Sequence, residues 1–403
     1  MITTLLAVLS TALALSDSVR PGIDVLLADS LGMLSGKRVG LITNHTGRDH
    51  EGRRTIDLLF RAPGVKLVAL FGPEHGLAGV AAAGAKVASS TDSATGLPIY
   101  SLYGETHVPT PEMLANVDVL VYDIQDVGAR VYTFEWTMAL AAEAAGKLGK
   151  TFVVLDRPNP IRADVVGGNV LDLKYRSFVG QYDVALRYGL TPGELLRFLV
   201  GTGRVHANVS VVPMNGYRRS MWYHETGLPW INPSPNIRDE ETALLYPGTV
   251  FFEATNLSEG RGTDAPLKQV GAEWLTDASA IARELNDMRI GGIRFESTTA
   301  SVAAGEKCGG QTIPVVRLHV TNADAADPIG AAVWLMRVIR RRHPKDWTWR
   351  ETGIERLAGT AALRKAVERG GVKELLEKWR AESRRFQTAT KKYWLYERVG
   401  SKE

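Results

Sequence analysis

Between residues 38 and 155 short, continuous apolar runs alternate with amphipathic or alanine-rich stretches. Residues 38–44, 65–71, 98–103, 118–124 and 151–155 each read as a buried strand, bounded by glycine, proline or polar residues. Residues 55–61, 111–115 and 134–148 between them carry helical patterns. Apolar strands without polar alternation, separated by helices, predict a parallel sheet covered on both faces.

The pattern changes in the second half. Helices are expected at 192–200, 240–246, 272–288, 328–342, 353–369 and 372–386, with Thr191 as N-cap and Pro192 at the first helical position of the first of them. Strands are expected at 209–213, 293–297 and 315–320. This mixed order places a boundary near 161–170, with a parallel α/β domain over 20–165 and a second, mixed α/β domain over 166–403. At the other end, residues 5–15 form an apolar run, followed by Ser16-Asp17-Ser18 and containing the small-x-small sequence Ala12-Leu13-Ala14. The run is too short to span a bilayer and reads as a signal peptide over 1–16, although no Lys or Arg precedes it. The expected location is secreted or periplasmic, with no stable membrane span.

Composition narrows the function. The 403 residues suit two domains, and 45% apolar with 23% charged residues is ordinary for a globular protein. A net charge of +4 suits contact with anionic polymers but is too weak to argue for nucleic acid. The single cysteine, Cys308, allows no internal disulfide, and the eight histidines form no His-x-His or His-x-x-x-His pair, so no metal is expected. The first strand's turn, Asn44-His-Thr-Gly47, lacks the GxGxxG spacing, and no GxxxxGK[ST] occurs, so no nucleotide or other cofactor is expected.

Ligands of open parallel sheets bind beyond the carboxyl ends of the strands. Four predicted strands deliver polar clusters there: Asn44-His-Thr-Gly47; Gly72-Pro-Glu-His-Gly76; Asp123-Ile-Gln-Asp-Val-Gly128 with Arg130 and Tyr132; and Asp156-Arg-Pro-Asn-Pro160. Glu74 stands out, because a carboxyl enclosed in a Gly-Pro…Gly turn suits general-acid work; the alternative is a cap on the next helix. His75 orients Glu74, contacts substrate or bonds to backbone. Asp123 and Asp126 suit base, nucleophile or substrate-orienting work; equally, Asp126 caps the helix ahead and Asp123 bonds to backbone amides. Arg130 and Arg157 hold a substrate carboxylate in a forked contact or pair with those aspartates. Asn44, Gln125, Asp156 and Asn159 complete the edge. The second half adds Asn236, Tyr246 and the 253–263 segment, where Asn256, Ser258, Glu259 and Arg261 offer groups for sugar hydroxyls or an acetamido group. Trp222, Tyr223 and Trp230 serve as stacking platforms or as core.

Taken together, the segments Leu41-Ile-Thr-Asn-His-Thr-Gly47, Phe71-Gly-Pro-Glu-His-Gly76, Tyr122-Asp-Ile-Gln-Asp-Val-Gly-Ala-Arg-Val-Tyr-Thr133, Leu155-Asp-Arg-Pro-Asn-Pro160, Asn232-Pro-Ser-Pro-Asn236 and Thr255-Asn-Leu-Ser-Glu-Gly-Arg-Gly-Thr263 resemble the exo-β-N-acetylmuramidases of the NamZ type, glycoside hydrolase family 171. The resemblance runs from about residue 22 to about residue 396. It implies a Rossmann-like N-terminal domain, a C-terminal α/β domain, and a cleft between them that releases terminal non-reducing N-acetylmuramic acid from peptidoglycan-derived sugars. It maps the family's active-site Glu onto Glu74. Asp123 or Asp126 would position water or the acetamido group, and Arg130 or Arg157 would meet the lactyl carboxylate. Tyr188 stands where the family usually has His, and Ala254 where it usually has Gly, which bears on substrate preference. A non-catalytic muropeptide-binding protein shares these expectations except turnover. An esterase or amidase would need a nucleophile, and no GxSxG elbow or reactive-cysteine context is present.

Overall fold

The computed structural model describes residues 18–350 and 353–397. The expected signal peptide lies outside the described residues. Among these, no helix is long and apolar enough to cross a membrane.

The first half is built on β1 (Arg38–Thr43), β2 (Lys66–Gly72), β3 (Ser90–Thr91), β4 (Pro98–Ser101), β5 (Val119–Asp123) and β6 (Thr151–Leu155), with helices α1 (Gly22–Val25), α2 (Thr55–Arg61), α3 (Pro111–Leu114) and α4 (Phe134–Lys147). After a small hairpin, β7 (Gly167–Val170) and β8 (Ala185–Arg187), come α5 (Pro192–Gly201) and β9 (Asn208–Val212). The seven-stranded sheet runs β3-β4-β2-β1-β5-β6-β9, and every pair is parallel except β3 with β4. Its six parallel strands follow the third-second-first-fourth-fifth-sixth order of a Rossmann-like sheet. Side chains alternate between two cores. Val119, Val121, Val153 and Leu155 face one with Ile23, Leu26 and Ile56, while Leu120, Tyr122, Phe152 and Val154 face the other with α4. Both faces are covered, which is why these strands are apolar throughout.

The sheet does not stop at the expected boundary. Its last strand, β9, lies at 208–212, past 161–170, because Val211 and Val212 continue the apolar pairing with Val154 and Leu155. The second half adds α6 (Glu240–Thr249), β10 (Gln269–Gly271), α7 (Ala278–Asp287), β11 (Ile293–Ser301), β12 (Thr312–Val320), α8 (Pro328–Arg342), α9 (Ile354–Ala358), α10 (Ala362–Arg369) and α11 (Val372–Thr390). Strands β10-β12-β11 form an antiparallel sheet. The expected helix over 353–369 is two helices, broken at Gly359, which is in the left-handed region (φ +68°). Helix α11 packs back on β7, so the chain's end returns to the first half.

Candidate active site

The carboxyl edge of the sheet carries the expected polar residues, but most of them bind one another. Between β1 and β5, where the strand order reverses, the crevice is filled. Asp123 takes Arg157 Nε at 2.5 Å and Nη2 at 3.0 Å, and also accepts from the Thr55 hydroxyl. Gly47 passes so close that a Cβ there would lie 2.1 Å from Thr43 Oγ1. Asn44 Oδ1 accepts from Thr46 N and Oγ1, at 2.9 and 2.6 Å. Gln125 donates to the Asp126 and Pro158 carbonyls, and Asn159 to the Leu190 carbonyl. Asp156 accepts from Thr191, Gly193 N and Tyr396, at 2.7, 2.8 and 2.6 Å, tying α5 and the chain's end to β6; burial pushes its carboxyl up to about 6.

At this edge several of the candidate residues are engaged by the fold itself, as in the Asp–Arg pairing that is one of the two expectations for Arg157. Asp123 and Asp126 are buried in the fold rather than open to a ligand. Asp126 accepts from the Tyr188 hydroxyl and from Gly128 N at 2.7 Å, and burial pushes it up to about 7. Arg157 is neutralised by Asp123. Arg130 is fully buried and donates to the carbonyls of Asn169, Val184, Leu357 and Ala358, so it clamps α9 to the β7–β8 hairpin instead of meeting a substrate carboxylate. Asn256 bonds to Asp346 O and Thr348 N, and Ser258 Oγ accepts from Gly260 N. Trp222 and Tyr223 are buried, with Tyr223 edge-on to Trp230.

A different group of residues opens onto a cavity of about 880 Å³ between the halves. Glu74, His75, Tyr132, Asn236, Glu259 and Arg261 all line it. Glu74 sits past β2, in a turn closed by Gly76 N to Pro73 O at 2.9 Å. His75 and Gly76 are both left-handed there, and the His75 ring is anchored to Ala81 O at 2.6 Å. The turn folds over so that Gly84 N donates to Glu74 Oε1 at 2.8 Å, while the Thr133 hydroxyl meets Oε2 at 2.6 Å. Only 9% of Glu74 is exposed. The Tyr103 phenol faces the same carboxylate, and burial together with Glu74 pushes it up to about 12.

The 253–263 segment lines the same cavity with Glu253, Ala254, Glu259, Arg261 and Gly262. Glu259 is held by Arg261 Nε at 3.1 Å and Lys307 Nζ at 2.5 Å. Glu253 pairs with the other arm of Arg261 and is more open, with 32% of its side chain exposed. Enclosure raises the Glu253 carboxyl above its ordinary range, and the Arg261 charge opposes that rise. Left-handed Gly260 and Gly262 bend this loop. Of the two departures from the family pattern, Ala254 lines the cavity and Tyr188 does not. Tyr103, Thr133, Lys307 and Arg356 line it without having been singled out. Thr133 had a signal, a threonine ahead of an apolar helical run. The other three have none, since only the fold brings them to Glu74. Among the described residues, no group of three His, Cys, Asp or Glu side chains could hold a metal ion.

Residues 39–241 match the family model described as exo-β-N-acetylmuramidase NamZ, N-terminal, and residues 244–396 the corresponding C-terminal model. The peptidoglycan β-N-acetylmuramidase NamZ of Bacillus subtilis (strain 168) is 40% identical over 384 residues, covering 94% of this chain and 91% of that protein. Two crystal structures of DUF1343 family proteins from Bacteroides fragilis NCTC 9343 share the architecture. One superposes with a TM-score of 0.88 at 37% identity, covering 94% of this chain and 99% of the other; the second gives 0.75 at 29%, covering 95% and 100%.

Proposed function

The chain belongs to the NamZ family of exo-β-N-acetylmuramidases, and from that membership and the Glu74 cavity we propose that it hydrolyses the β-1,4 bond of a terminal, non-reducing N-acetylmuramic acid on peptidoglycan fragments. The observation that carries this reading is an enclosed carboxyl, Glu74, in a cavity that Glu253 and Glu259 also line. Paired carboxyl groups flanking a glycosidic bond are the usual apparatus of glycoside hydrolysis. A volume of about 880 Å³ suits a sugar-sized ligand.

Glu74 protonates the leaving glycosidic oxygen. Its partner Thr133 is a hydroxyl, which donates to a carboxylate or accepts from a carboxylic acid, so the contact persists as the proton leaves. Gly84 N holds the other oxygen, fixing the plane of the carboxyl. Glu253 is the second reacting carboxyl. Its raised affinity for protons suits a base that activates water, whereas Glu259 is held from both sides by cations.

The test is sugar release from a chromogenic β-N-acetylmuraminide and from the disaccharide N-acetylmuramyl-β-1,4-N-acetylglucosamine. Glu74→Gln should lower kcat by at least about 100-fold with the fold intact. Wild-type rates in that variant would overturn the assignment of Glu74. Saturable binding without sugar release by the wild type would favour a muropeptide-binding role instead. The apolar run at 5–15 supports export; retention of the protein in the cytosolic fraction would refute that part.

A further inference from the structure

N-acetylmuramic acid differs from N-acetylglucosamine by the lactyl ether at O3, which ends in a carboxylate. An enzyme that tells them apart needs a cation that its own carboxylates have not neutralised. Among the described residues, five Arg or Lys side chains line the cavity: Arg238, Arg261, Lys307, Arg350 and Arg356. Arg261 is taken by Glu253 and Glu259, and Lys307 by Glu259 and the Phe252 carbonyl at 2.8 Å. Among the described residues Arg238, Arg350 and Arg356 have no carboxylate partner; Arg238 is spent on the Pro235 and Thr263 carbonyls, whereas the side chains of Arg350 and Arg356 make no hydrogen bond there.

Position separates these two. Arg356 is on α9, which packs against the 250–254 turn that carries Glu253. Its backbone neighbour Leu357 also lines the cavity and is fastened through its carbonyl to Arg130. On the other side the Arg356 charge reaches the Tyr103 phenol, the group that faces Glu74. Arg356 thus lines the cavity from a helix packed against the turn of Glu253, within electrostatic reach of the phenol beside Glu74. Arg350 also lines the cavity but lies ahead of α9, its backbone N bonded to Ala254 O at 2.8 Å.

Resting on the muramidase reading above, we propose that Arg356 reads the lactyl carboxylate and so determines the preference for N-acetylmuramic over N-acetylglucosaminyl ends. A guanidinium fork matches a carboxylate in two parallel hydrogen bonds, and among the described residues Arg356 has no side-chain hydrogen bond that occupies its donors. O3 is borne by C3, two ring positions from the reacting C1. A reader of that substituent belongs beside the acid–base pair rather than in it.

The experiment compares wild type, Arg356→Gln, Arg356→Lys and Arg350→Gln on the chromogenic N-acetylmuraminide, with melting temperature as a fold control. Arg356→Gln should raise KM by about 10- to 100-fold, the range for a hydrogen bond to a charged group, with kcat within about threefold. Arg356→Lys should recover part of the loss, and Arg350→Gln should stay near wild type. An unchanged KM in Arg356→Gln, a loss confined to kcat, or an equal loss in Arg350→Gln would overturn the proposal. Absence of sugar release by the wild type would instead overturn the muramidase reading on which it rests.

Discussion

Thr133 stands at the N-cap of α4, yet its hydroxyl makes no capping bond to that helix and instead meets Glu74 Oε2 at 2.6 Å. A threonine there ordinarily bonds an amide of the first turn, a contact worth about 1 kcal/mol. The helix gives up that contact, and Glu74 gains a partner from the far side of the cavity wall. Thr133→Val should lower kcat by about 10- to 100-fold while KM stays within about threefold, as expected for one hydrogen bond to a charged group. Thr133→Ser should keep most of the rate. Steady-state kinetics checks both, and a change in KM alone would contradict the role.

Asp123 and Arg157 make a test of structural against catalytic roles. The pair is buried, and removing one partner strands the other charge. Asp123→Ala should cost about 3–5 kcal/mol of unfolding free energy, measured in urea. The folded fraction should keep kcat within about threefold of wild type at low temperature. A large loss of kcat at unchanged stability would return Asp123 to the chemistry.

The acids beneath the cavity predict a pH dependence of stability. Burial pushes Asp126 up to about 7 and raises Glu135 well above its ordinary range, where the charges of Asp126 and Asp156 add to the rise. Among the described residues neither oxygen of Glu135 has a hydrogen-bond partner. A carboxyl raised in the folded state stabilises the fold fully below its unfolded pKa, near about 4, and that stability is lost as pH rises through the folded value. For Asp126 the window runs from about 4 to about 7. Thermal unfolding should show the melting temperature falling between about pH 4 and about pH 7, and Asp126→Asn should flatten that fall. Parallel curves for the two proteins would contradict it.

Gly79 closes the loop that carries Glu74. Its φ is +73°, and a Cβ there would lie 2.0 Å from the His45 ring, which is itself held to Asn232 O at 2.7 Å. Gly79→Ala combines backbone strain of about 1–3 kcal/mol with that overlap. It should lower both melting temperature and kcat, because the same loop brings Gly84 N to Glu74. Calorimetry with kinetics on one preparation checks the two together.

Much of this architecture was legible in the chain. The strands β1, β2, β5 and β6 are continuous apolar runs because both faces of the sheet are covered, and hydrophobicity alone reveals that. Glu74 was legible for a local reason, a carboxyl set between Gly-Pro and a left-handed His-Gly pair. The 253–263 wall was legible too, through its glycines and charges. The role of Asp123 and Arg157 was not. Aspartates and arginines at strand ends look the same in sequence whether they bind a ligand or each other, and the difference lies in a 2.5 Å contact between residues 34 apart. The domain limit was hidden for a similar reason, since β9 joins the first sheet only through its pairing with β6.

By itself, then, the sequence determined the layered parallel sheet, the Glu74 turn and the family, because each is written in residues close together along the chain. Tertiary structure decided which polar groups remain available for chemistry. It set Asp123 against Arg157, closed the crevice between β1 and β5, and carried Tyr103, Thr133, Glu253 and Arg356 from four separate segments to the cavity of Glu74. Availability is a property of partners, and partners distant in sequence are chosen only when the chain packs.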